Sequence, residues 1–135
     1  MTVIFLIIVI VFGIAALVLL GRFAPRRRAH LNQEYFQQQW ATLLARVKTP
    51  EGMILAVVDA DKLLDEALKK HHFRGKTMGE RLVSAQKSLS DNDAVWYAHK
   101  LRNRLVHEPN VRLKKREAQT ALAGFRQGLH DLGAL

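Results

Sequence analysis

The chain has 135 residues, with 21 Lys and Arg against 12 Asp and Glu, a net charge of +9 and no cysteine. The missing cysteine excludes disulfides, thiolate metal sites and thiol catalysis. The length holds one hydrophobic core of ordinary size, and the basic balance suits a phosphate backbone, an anionic membrane surface, or a solvated face with no partner.

The chain opens on VIFLIIVIVFGIAALVLL, Val3 to Leu20, without a charge or a proline. As a helix this run spans about 27 Å, close to the hydrocarbon thickness of a bilayer. Arg22, Arg26, Arg27 and Arg28 follow, and no acid precedes Glu34. A basic flank on the C-terminal side alone predicts a single pass with the N-terminus outside and the rest in the cytoplasm. A cleaved signal peptide would want a basic segment before the apolar run and a shorter run, and both are missing. The expected organisation is a transmembrane anchor at 1–21, in contact with the bilayer through 3–20, a basic juxtamembrane linker at 22–30, and a cytoplasmic domain at 31–135.

Beyond the anchor the pattern is helical throughout. Pro25 is expected to interrupt the exit from the membrane, because its ring cannot sit inside a helix without breaking a hydrogen bond. From Ala29 to Val47, apolar Leu31, Tyr35, Phe36, Trp40, Leu43, Leu44 and Val47 recur at spacings of three and four, which predicts an amphipathic helix. Whether it joins the bundle or forms a stalk is open at this point. Thr49-Pro50-Glu51 is a start signal for a helix reaching about Lys70. His71 to Lys76 reads as a linker, and Thr77-Met78-Gly79-Glu80 is a capping box opening a shorter helix that turns Leu82, Val83 and Leu89 inward. Ser90-Asp91-Asn92 offers the next cap, and Pro109 ends that helix near His107. A last helix from about Lys114 to Asp131 carries Ala118, Ala121, Leu122, Phe125, Leu129 and Leu132 as its apolar stripe. The fold class expected is all-α, an N-terminal transmembrane helix followed by a four- to five-helix bundle.

Two charges fall on apolar faces. On the wheel of the 93–107 helix, Ala94, Val95, Ala98, Leu101, Leu105 and Val106 fill one arc, and Arg102 lies within it. On the 50–70 helix, Met53, Ile54, Val57, Leu64 and Leu68 form the arc that contains Asp61. Charges on core faces must be paired, so Asp61 and Arg102 are expected to face each other as a structural pair. The basic region is Lys100, Arg104, Arg112, Lys114, Lys115 and Arg116; the last helix thus opens on Lys114-Lys115-Arg116, a sign its dipole does not favour. His99, Asn103 and His107 lie on the polar flank of their helix, and His99 and His107 are about 12 Å apart along its axis, too far to share a metal. No metal and no cofactor is expected.

Within LRNRLVHE, Leu101 to Glu108, the pattern Arg102-Asn103-x3-His107 resembles the R-polar-x3-H motif of HEPN domains, which are small all-α bundles. The resemblance covers about residues 50–132. Together with VVDADKLLDEAL, TMGERL and VWYAHKLRNRLVHE, it extends to a group of single-pass, membrane-anchored bacterial proteins for which it implies no function, and it puts the anchor in the inner membrane. Many HEPN domains are metal-independent ribonucleases in which the motifs of two subunits meet in a cleft; others are non-catalytic binding modules. For a nuclease the resemblance implies His107 as general acid or base, Arg102 stabilising charge on the phosphate, Asn103 orienting one of them, and the basic region holding the RNA backbone. For a binding module it implies a homodimer that holds RNA or a protein partner.

Overall fold

The computed structural model describes residues 1–23 and 29–135. Pro25 and Arg26 to Arg28, with the side chain of Arg22, lie outside the described residues. Six α-helices, and no strand, are found among the described residues. They are α1 (Thr2–Phe23), α2 (Gln33–Leu44), α3 (Pro50–Lys70), α4 (Met78–Ala85), α5 (Asn92–His107) and α6 (Lys115–Asp131), with a 3₁₀ turn at Gln86–Ser88 after α4.

Within α1 the stretch Thr2–Gly21 is long and apolar enough to cross a membrane, and none of it is buried in the protein. An anchor and a signal sequence share that length and composition.

Each later helix begins where a side chain satisfies its first free amides. Asn32 Oδ1 accepts from the Tyr35 amide at 3.1 Å, so α2 starts at Gln33, four residues later than the apolar pattern at Ala29 suggests. Thr49 Oγ1 accepts from Gly52 before α3, and Thr77 Oγ1 from Glu80 before α4, where Glu80 returns a bond to the Thr77 amide. Asp91 caps α5 through the Ala94 amide at 2.9 Å. The basic first turn of α6 is offset by Glu117, which accepts from the Lys114 amide at 3.0 Å.

α3 is the central helix, packing on α2, α4, α5 and α6, while α5 and α6 form the most extensive pair. Phe36, Val57, Leu64, Leu68, Leu82, Val95, Phe125 and Leu129 are fully buried between them. Each contributes about 1.5–3 kcal/mol through removal of apolar surface from water. The close approach of α5 and α6 depends on Gly124, where a Cβ would stand 2.5 Å from the Ala94 carbonyl oxygen.

α2 belongs to the bundle. Phe36, Trp40 and Leu43 are buried against α3, and Tyr35 Oη donates to Glu66 at 3.0 Å. The preceding segment is fastened as well, because His71, at the end of α3, accepts the Ala29 amide on Nδ1 at 3.2 Å and meets the Leu132 carbonyl through Nε2 at 2.7 Å. His71 is therefore a buried clasp between the entry to α2 and the end of α6.

Four residues expected inward face solvent: Tyr35 is 37 % exposed, Leu44 39 %, Val83 56 % and Val106 49 %. Only one side of α2 is covered, so Phe36, Trp40 and Leu43 use up the packed stripe. In the two-turn α4, Met78, Arg81, Leu82 and Ala85 take the inward positions and leave Val83 outside. Val106 shares a face with Val95 but lies three turns on, past the cover that buries Val95, Ala98 and Leu101.

Candidate functional site

The buried polar groups of the bundle converge between α3 and α5. Asp61 is 3 % exposed on the apolar arc of α3, and α5 presents His99, Arg102 and Asn103, at i, i+3 and i+4, toward it. Asp61 Oδ1 accepts from His99 Nδ1 at 2.7 Å. Its other oxygen lies 3.2 Å from Arg102 Nε, but that N–H is not aligned on it, so the contact is an ion pair without a hydrogen bond. Arg102 Nη1 donates to Asn103 Oδ1 at 3.0 Å, which turns the Asn103 amide nitrogen toward His99 Nε2 at 3.3 Å. The four side chains close a ring, and their partners place the imidazole proton on Nδ1.

The ring lines an open polar cleft of about 450 Å³, which Lys62 and Asp65 of α3 and Thr77 to Gly79 at the start of α4 complete. The buried Arg81 braces that end of α4. Its Nε and Nη2 donate to the two Asp65 oxygens at 2.7 and 2.9 Å, and Nη1 donates to the Gly75 carbonyl at 2.7 Å. Burial pushes the Asp65 carboxyl up, but hydrogen bonds from Arg81 and Lys69 and their charge outweigh it and hold the group below its ordinary range.

The structure thus brings Asp61, Arg102 and Asn103 together and leaves His107 apart. His107 is exposed in the last turn of α5 and does not line the cleft. The six basic residues, Lys100 and Arg104 on α5, Arg112 in the connection, and Lys114, Lys115 and Arg116 at the start of α6, are all exposed. Among the described residues, Arg104 with Glu108 at 4.0 Å is the one ion pair that any of these six makes. Among the described residues no group of three or more His, Asp or Glu stands close enough to hold a metal ion.

Sequence reasoning placed His99 on the polar flank and missed it as the nearest partner of Asp61. The available signal was that a buried carboxylate has two oxygens to satisfy, and Arg102 alone leaves one free. The Asp65–Arg81 pair was missed too. Its signal was Arg81 itself, which stands with Met78, Leu82 and Ala85 on the inward face of α4 and so requires an acid partner. Comparison with protein-family models, with curated proteins and with solved structures gives no match to this chain.

Proposed function

We propose that this chain is a membrane-anchored, HEPN-like helical module that homodimerises in the cytoplasm and binds nucleic acid through its basic region without cleaving it. The observation that carries this reading is the occupation of Arg102. Its guanidinium is held by Asp61 and Asn103, while His107 stands outside the cleft that Arg102 lines. A catalytic pair must share a reacting atom. The six exposed cations, with one weak ion pair among them, are in contrast ready for phosphate oxygens. The bilayer holds residues 3–20, and the juxtamembrane arginines favour a cytoplasmic bundle.

A metal-independent endoribonuclease is the second reading. In its favour, Arg102 and Asn103 border an open polar cleft, to which a second subunit could bring its own His107.

The test uses the full chain in nanodiscs of zwitterionic lipid, with a fluorescent single-stranded RNA and a metal chelator present. Binding without cleavage is expected, with log K falling against log salt at a slope of roughly −3 for four phosphate contacts. Lys114→Glu/Arg116→Glu should abolish it. Cleavage that disappears in His107→Ala would replace this reading with the nuclease. Orientation is checked in cells with single-cysteine variants, since the chain has no cysteine of its own. Lys87→Cys, at an exposed position after α4, should react with an impermeant maleimide only after lysis.

A further inference from the structure

α2 and α6 both pack on α3 but scarcely touch each other. Between them runs an open channel of about 480 Å³, lined by Trp40 and Leu44 of α2, Met53 of α3, and Ala118 and Leu122 of α6. Its lining is mostly apolar and contains no acid. The two charged side chains on it are Lys115 and Arg126.

Their spacing restricts what fits. Eleven residues along α6 separate them by about 16 Å and return to within about 20° of the same face. The cations therefore bracket an apolar strip three helical turns long. A single acyl chain with one anionic head needs a cation at one end only. A second copy of this chain has, among its described helices, none that carries two acids eleven residues apart. A helix with an apolar stripe and an acid at each end satisfies both cations and fills the strip between them.

We propose that the channel captures an amphipathic helix of a partner protein, its apolar stripe against Trp40, Leu44 and Leu122 and its two acids, about three turns apart, against Lys115 and Arg126. Helix capture and nucleic-acid binding share Lys115, while Arg126 lines the channel and lies outside the basic region, and Lys114 and Arg116 do not line the channel.

The chain has two tryptophans, so Trp96→Phe leaves Trp40 as the sole reporter in the full chain, held in nanodiscs of zwitterionic lipid. The probe is a model helix of roughly 18 residues with leucines at i, i+3, i+4, i+7 and i+8 and glutamates eleven residues apart. A second probe carries lysines in place of the glutamates. Saturable binding with a change in Trp40 emission is expected, with the glutamate probe about ten-fold or more tighter than the lysine probe. Lys115→Glu/Arg126→Glu should invert that preference. Ala123→Trp, at an exposed position on the channel, should weaken binding by about ten-fold or more with unchanged helicity by circular dichroism.

Failure of the glutamate probe to bind, equal affinity for the two probes, or a preference that survives the double charge reversal overturns the proposal. So does self-association that Ala123→Trp abolishes, which would make a second copy the occupant. A change in Trp40 emission produced by anionic-lipid nanodiscs alone would assign the channel to lipid. None of these outcomes affects RNA binding by Lys114 and Arg116, so the two readings fail separately.

Discussion

Asp61→Asn removes one charge and almost no volume from the centre of the polar ring. Both carboxylate oxygens are in use, one by His99 at 2.7 Å and the other by Arg102 at 3.2 Å. An amide offers one acceptor oxygen and one NH₂, so in either orientation a donor on α5 meets a donor on α3. Breaking a buried pair by removing one partner costs about 3–5 kcal/mol. The Arg102 side chain is 25 % exposed and regains some hydration, which puts the expected cost at the low end, about 3 kcal/mol. For a domain of this size that lowers Tm by roughly 12–24 °C. Arg102→Met should cost less, about 1–2 kcal/mol, because Asp61 keeps its bond to His99. The double variant should recover about 1–2 kcal/mol relative to the sum of the singles. The assay is loss of helical circular dichroism on heating the full chain in nanodiscs. A melting temperature within about 2 °C of the wild type for Asp61→Asn, or single costs that add to within about 0.5 kcal/mol, would refute the closed ring.

Gly124→Ala should destabilise by about 1–3 kcal/mol or more, read as a lower Tm, because the new methyl meets the backbone of Ala94 at 2.5 Å and pushes α6 off α5. Asp65 should shape the acid limb of stability. Its carboxyl is held below the ordinary aspartate range, so its contribution is complete above that range and is lost as pH falls through the lower, folded value. The Tm difference between wild type and Asp65→Asn should therefore be largest above about pH 5 and shrink below about pH 4; a constant difference would remove Asp65 from the acid response. His71→Leu should speed amide exchange at Ala29 and Leu31 by mass spectrometry while the centre of α3 stays protected. Unchanged exchange there would show that the clasp of His71 on Ala29 and Leu132 is not what fastens the entry to α2.

The bundle was legible where local chemistry and hydrophobic period agree. Thr49-Pro50 and Thr77-x-x-Glu80 each place a helix start to the residue, because a capping side chain acts within three residues of its own position. The stripe of α6 is buried along its whole length, because that helix lies against both α3 and α5. Period alone fails where cover is partial. It marks Val83, Val106 and Leu44 as core although nothing packs over them, since a wheel records which side of a helix is apolar and not how far the neighbouring helix extends. The site was legible to the same extent. A lone Asp on one apolar arc and a lone Arg on another identify the pair, but His99 enters only through the rotation of α5 against α3, and that rotation depends on the side-chain volumes at their contact.

α5 carries both readings of the chain on one helix, and its geometry separates them. Five residues of helix turn Arg102 and His107 about 140° apart, so a side chain aimed at α3 from the first position is followed by one aimed at solvent from the second. The observed burial follows this: Arg102 is drawn to Asp61, and His107 is left in the last turn. Within one chain the Arg-x4-His spacing therefore builds a scaffold, with the arginine as its ionic anchor. A nuclease would have to release Arg102 from Asp61 and import a histidine from a second subunit. The first of these steps costs folding stability, because Asp61 would keep only His99 as its partner, and the second needs two like-charged basic regions to approach each other. Nucleic acid laid across those regions would relieve that repulsion. In such a nuclease dimer, RNA binding and dimerisation should therefore strengthen each other, and dimerisation should be favoured at high salt or with RNA present.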